Sequence, residues 1–280
     1  MSGHPIRLVA AIMLAMGALA GGASAAQLPA DSSAQPAAQP ALARLAVLVL
    51  ANGGKFVGDD IGGALVTIRD ARTKEVLASG RTQGGAGLPD LPTIDVNQLH
   101  VIPETDAARF VAHIPVDGPR LVEVTAFGPL AALGSAVDVS TTVWLLPPSI
   151  SPSNRVVLTL RGLVVQLISP PTHFLPASPA PLTIPIRANV TMMCGCPIGP
   201  ALPWKPEEYV VQATIRDATG RQITVPLTFD TQALDGAPSQ FVGSWTAPAA
   251  GVYEVTVIAH QLTHDNTGVD RGTVIVSDAR

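Results

Sequence analysis

The feature that most constrains this chain is a hydrophobic repeat of two, carried in short segments. ARLAVLVL (43–50), GALVTIRD (63–70), KEVLASG (74–80), RFVAHIPV (109–116), RLVEVTAF (120–127), AVDVSTTVWLL (136–146) and RVVLTL (155–160) are rich in β-branched residues and bounded by Gly, Pro, Asn or Asp. Alternation of this kind puts one face of a strand in a core and the other in water. A second series begins at residue 162: 162–168, 182–193, 208–217, 221–229, 239–247, 251–260 and 272–278. The 26 prolines exclude a helical fold and suit loops and edge strands. The chain is therefore expected to be all-β, with two tandem seven-stranded β-sandwiches over 42–161 and 162–280. Only short helical turns are expected, near 104–108 and 129–134. The Pro/Gly-rich stretch 84–103 reads as a long surface loop.

Two stretches resemble known families. PAAGVYEVTVIAH (248–260) resembles the E–F corner and F strand of immunoglobulin-like domains. That resemblance implies that Tyr253 pins the corner through its hydroxyl. GALVTIRDARTKEVLASGRTQGGAG (63–87) resembles the opening of transthyretin-like, or carboxypeptidase-regulatory-like, domains, which are also seven-stranded sandwiches. Both resemblances imply a fold and no particular activity. The chain departs from the immunoglobulin pattern in having no cysteine pair placed to cross the two sheets.

Residues 1–26 read as a bacterial Sec-type signal peptide. Arg7 precedes an apolar run over 8–20, and Ala23-Ser24-Ala25 fits the small-residue cleavage pattern. Residues 27–41, QLPADSSAQPAAQPA, read as a disordered Pro/Ala-rich linker. No later segment offers about 18 apolar residues free of charge or proline, so no transmembrane helix is expected in the mature chain. Arginine outnumbers lysine (Lys55, Lys74 and Lys205 are the only lysines), and Ala, Gly and Pro abound, which suggests a GC-rich bacterium. The expected location is the periplasm or the exterior. A net charge of −4 gives no basic face for nucleic acid. Charged residues are only 14%. A weakly charged surface leaves room for an envelope protein partner.

The concentrated chemistry lies in TMMCGCPIGPALPW (191–204), which holds both cysteines of the chain. In a sandwich of this topology the loop after the 182–193 strand lies beside the loop 260–268 at one pole. That pole would gather Met192, Met193, Cys194, Cys196 and Trp204 with His260 and His264. Strand parity points Met192, Cys194 and Cys196 one way and Met193 into the core. Two thiolates and a thioether are soft donors for Cu(I), and two thiolates with two imidazoles suit Zn(II). Two alternatives stay open: a Cys194–Cys196 disulfide, which closes almost no loop and would be redox-active, and plain packing of sulfur side chains. Trp204 reads as a plug at the end of the sandwich. His173 is a weaker candidate ligand, and His100 and His113 are read as structural.

No G-x-S-x-G, H-E-x-x-H, C-x-x-C, P-loop or dinucleotide fingerprint occurs. NGGKFVGDDIGG (52–63) reads as a turn between the first two strands. Asp59 and Asp60 alone fall short of a calcium site. Asn189-Val190-Thr191 matches the glycosylation pattern but sits in an expected strand. The expected function is an exported non-enzymatic binding protein that holds or delivers a soft metal, copper ahead of zinc, on Met192, Cys194, Cys196, His260 and His264. The alternatives are a structural or interaction module of the cell envelope with a Cys194–Cys196 disulfide, and a thiol–disulfide redox protein.

Overall fold

The computed structural model describes residues 40–87, 107–174, 181–232 and 238–277. The signal-peptide stretch, all but the last two residues of the linker stretch, most of the 84–103 loop, His100, and all but the last two residues of the 104–108 turn lie outside the described residues. Among the described residues no helix is long and apolar enough to cross a membrane.

Among the described residues, seven strands make the first half: β1 (Ala41–Ala51), β2 (Leu65–Asp70), β3 (Val76–Arg81), β4 (Arg109–Val116), β5 (Arg120–Gly128), β6 (Val137–Leu145) and β7 (Asn154–Leu160). They form two sheets, in the orders β4-β1-β7 and β3-β2-β5-β6. All pairings are antiparallel except that of β1 with β7, which is parallel. A short 3-10 turn at Leu133–Ser135 falls at the end of the expected 129–134 turn. Strand β1 begins at Ala41, inside the expected linker, where it pairs with Val116.

Strand β1 departs from simple alternation. From Leu45 to Ala51 every residue is buried. Leu45, Val47, Val49 and Ala51 face the main core. Ala46, Leu48 and Leu50 join a smaller cluster with Phe56, Ala107 and Ala108. Chain segments cover the outer face of β1, so both faces are apolar and the run reads as continuous.

The described residues of the second half form eight strands: β8 (Leu163–Ser169), β9 (His173–Phe174), β10 (Leu182–Met192), β11 (Tyr209–Asp217), β12 (Gln222–Phe229), β13 (Gln240–Ala247), β14 (Gly251–Gln261) and β15 (Asn266–Val276). Their order is β8-β10-β13-β12-β11-β14-β15-β9. Strand β12 pairs with β11 over most of its length but meets β13 only at Thr228 and Phe229. It thereby carries the sheet from one layer to the other. The inner faces of the layers meet where Trp245 on β13 packs edge-on against Tyr253 on β14, with ring centroids 4.7 Å apart. The two-residue strand β9, parallel to the end of β15, takes this half beyond the expected seven.

The Asp217–Gly220 hairpin forms as its sequence suggests. Asp217 Oδ1 accepts from the backbone N–H of Thr219 and Arg221, and Gly220 supplies a left-handed residue. Those bonds hold the Asp217 carboxyl below its usual range, with the Thr219 hydroxyl contributing most. Tyr253 donates its hydroxyl to the Ala249 carbonyl at 2.7 Å. This is the tyrosine corner of immunoglobulin-like domains, and it fixes the turn between β13 and β14.

Strand β15 starts six residues before the expected position, 272. Its inner-facing positions at that end are Asn266, Gly268, Asp270 and Gly272, and so carry no apolar period. The reason is close approach of β8. A Cβ at Gly268 would meet the Leu163 carbonyl at 2.5 Å, and one at Gly272 would meet Leu167 at 2.9 Å. Asp270 Oδ2 accepts from the Leu167 N–H at 2.7 Å. Strand β7 ends at Leu160 and β8 starts at Leu163, so only Arg161 and Gly162 join the halves. Apart from the smaller cluster on the outer face of β1, the described buried apolar residues of both halves join in one main cluster.

Replacing Tyr253 with Phe removes the corner hydrogen bond and little else. We expect a loss of about 1 kcal/mol in urea unfolding, with an unchanged denaturant slope. An unaltered midpoint would show that the corner bond carries no stability.

Candidate functional site

The inward residues of β10 are Ile184, Ile186, Ala188, Val190 and Met192, and each is buried. Met192 thus continues the core face of its strand. Its Sδ accepts a hydrogen bond from the Tyr209 hydroxyl at 3.1 Å. Burial, and to a lesser degree the neighbouring Glu208, push the Tyr209 phenol above its ordinary range, so it stays a donor.

The chain then turns sharply. Gly195 N–H donates to the Met192 carbonyl at 2.8 Å, and Met192 N–H to the Cys196 carbonyl at 3.1 Å. Cys194 and Cys196 are joined by a disulfide, and no described cysteine is free. Cys194 is 1% exposed, whereas Cys196 is partly exposed. Farther along, Ser239 holds the loop by two bonds: its hydroxyl accepts from Ile198 N–H at 2.8 Å, and its own N–H donates to the Ile198 carbonyl at 3.0 Å.

The second loop, 262–265, joins β14 to β15. Leu262 N–H donates to the Glu208 carbonyl at 2.8 Å, which ties this loop to the start of β11. The two loops therefore meet at one pole, as strand order leads one to expect. They close on the first half of the chain instead of on open space. Trp204 donates its indole N–H to the Gly53 carbonyl at 3.0 Å and is 4% exposed. A Cβ at Gly53 would meet the His264 ring at 2.5 Å, and Gly53 is left-handed (φ 65°). Only glycine fits both demands. The next residue, Gly54, lies against Cys194.

Beneath these contacts lies a polar knot. Asn266, fully buried, uses its side chain four times. Its Oδ1 accepts from Asn52 Nδ2 and from Gly162 N–H, each at 3.1 Å. Its Nδ2 donates to the Asn52 carbonyl at 2.9 Å and to Gln261 Oε1 at 2.6 Å. Asn52 Nδ2 also reaches the His264 carbonyl at 2.9 Å. One asparagine thus ties together the turn after β1, the link between the halves, and the end of β14.

The residues expected to ligate a metal fare differently. Met192 is buried under Tyr209, in the core and not on an open face. Met193, also fully buried, lies beside Gly162. His264 sits on Gly53, with its Nδ1 3.0 Å from the Thr263 hydroxyl. His260 alternates with buried Ala259 and Gln261, so it lies on the outer face of β14, with Nδ1 3.9 Å from Asp265 Oδ1. In the disulfide form the five do not make one donor set. Among the described residues no group of three or more His, Cys, Asp or Glu side chains could hold a metal ion. His173, on β9, lies at the end of β15 opposite this pole, and His113 is exposed on β4.

Sequence reasoning missed Asn52, Asn266 and Ser239. Their signal is faint, since Asn and Ser in loops are common. An open cleft of about 410 Å³ is lined by Lys55, Asp60, Cys194, Cys196, Leu202 and Trp204, among others.

The fold and the tyrosine corner place the chain in the all-β, immunoglobulin-like class. No protein-family model matches it, and no curated protein does. Among solved structures it is similar to the fibronectin(III)-like modules of Clostridium thermocellum CbhA, at 14% identity over 83% of this chain and 90% of that one, with a TM-score of 0.28. The chicken interferon gamma receptor alpha chain shares 9% identity over 76% of this chain and 84% of its own, with a TM-score of 0.29. A chimeric titin Z1Z2 tandem shares 12% over 85% and 99%, with a TM-score of 0.24. No function is carried over from these likenesses.

Replacing Asn266 with Ala would take the partner from Gly162 N–H, Gln261 Oε1 and the Asn52 carbonyl at a buried seam, and would leave Asn52 Nδ2 only the His264 carbonyl. We expect a loss of about 3 kcal/mol in chemical unfolding. Wild-type stability in this variant would mean that the knot is dispensable.

Proposed function

We propose that this protein is an exported, non-enzymatic structural or protein-interaction module of the cell envelope. The observation that carries this reading is the role of the Cys194–Cys196 loop. The one region with concentrated chemistry is spent on joining the halves: a disulfide, Trp204 and the Asn266 knot all bear on the turn after β1. A seam of this kind holds two sandwiches at a fixed spacing, which suits a spacer or a docking scaffold. Export rests on the signal-peptide pattern of residues 1–26. The lack of any recognisable catalytic motif in the sequence supports a non-enzymatic role. A soft-metal holder, copper ahead of zinc, is the lesser reading. It needs both sulfurs as thiolates and Cys194 drawn away from Gly54, and it gains only from the meeting of the two loops at one pole.

The test uses protein recovered from its native source without added metal or chelator. We expect no free thiols, no stoichiometric metal by mass spectrometry, and a specific envelope protein captured by cross-linking in intact cells. Near-stoichiometric copper or zinc together with two free thiols would replace this reading with the metal one. A metal-free protein with no cross-linked partner would remove the interaction role.

A further inference from the structure

We infer that Cys196 is a thiol-exchange site, the sulfur at which a low-molecular-weight thiol opens the Cys194–Cys196 disulfide. The two sulfurs sit in unlike surroundings. Cys194 is 1% exposed and lies against Gly54. Both cysteines line an open cleft of about 410 Å³, within the range of small-molecule pockets, but only Cys196 is partly exposed to it. The cleft offers apolar walls from Pro197, Leu202 and Trp204. The charged groups lining it are Lys55 and Asp60, of opposite sign. A disulfide that spans one intervening residue restrains the unfolded chain little, so it adds little stability by loop closure. The unequal exposure of its two sulfurs matters for access instead, because exchange requires a thiolate to reach one sulfur in line with the bond.

The chemistry balances as follows. An external thiolate attacks Cys196 Sγ and forms a mixed disulfide there. The Cys194–Cys196 bond breaks, and Cys194 leaves with the electron pair and takes up a proton. A second external thiolate attacks the outer sulfur of the mixed disulfide. It releases the oxidised dimer of the small thiol and leaves Cys196 reduced. Two small thiols are oxidised for one protein disulfide reduced. Attack with the opposite polarity requires entry at Cys194, which has almost no exposed surface.

The probe is reduced glutathione, added to the native, oxidised full-length protein. Early samples are quenched in acid, alkylated with N-ethylmaleimide in denaturant, and mapped by peptide mass spectrometry. The expected dominant species carries glutathione on Cys196 and N-ethylmaleimide on Cys194. Glutathione chiefly on Cys194, an even split, or no adduct until the protein is unfolded would each overturn the assignment. Single variants give a second measurement. The Cys194→Ser protein, which keeps Cys196, is expected to react with an aromatic disulfide reagent at least about tenfold faster than the Cys196→Ser protein. Equal rates in the two folded variants would also overturn it.

Discussion

Everything at the junction depends on the buried side chain of Asn266. An amide has two donor hydrogens and an oxygen with two lone pairs, and here all four are used. Leaving a buried polar group unpaired costs free energy, and within the knot the one described side-chain atom that is buried without a partner is Gln261 Nε2. The knot therefore favours one relative placement of the turn after β1, the link at Gly162 and the β14–β15 hairpin. Apolar packing alone would permit sliding. Directional bonds to three segments do not.

Around the knot the contacts divide by type. Gly53 and Gly54 give the first half a surface without side chains, and the second half lays His264 and Cys194 on it. Trp204 closes the side with one bond to the Gly53 carbonyl. In this structure the sulfur is packed: Met192 and Met193 point inward, and the disulfide draws the loop into a tight turn. Soft, polarisable groups suit an irregular gap between two curved sheets.

Most strands could be read from alternation, because one buried face imposes period two on any sequence that can pay the entropy of ordering. Tyr253 could be read as well, since a tyrosine after a Gly-containing turn has a specific geometric task. The early start of β15 could not. Its core-facing positions are Gly and Asp because the β8 backbone lies against them, and close approach leaves no apolar signature. The two-faced burial of β1 hid for a related reason: what covers its outer side comes from distant segments, including Ala107 and Ala108. The pole of the candidate site was legible from strand order, but its occupant was not. Parity along β10 puts Met192 on the same side as Val190 and Ala188, and that already marks it as core. Nothing local tells Asn52 that its partner lies 214 residues away.

That separation has a kinetic side. The parallel pairing of β1 with β7 joins Leu45 to Asn154, so the three-stranded sheet of the first half waits for that sandwich's last strand to be made. The Asn52–Asn266 bond waits longer, for nearly the whole chain. Contacts of such long range are the slow ones, because the chain must order a large loop before they return anything. As the polypeptide emerges N-terminus first, the turn after β1 meets Leu160 and Trp204 earlier, but the Asn52 side chain waits for the final hairpin. The seam between the sandwiches is then the closing step of assembly, and a chain cut short before β15 never reaches it.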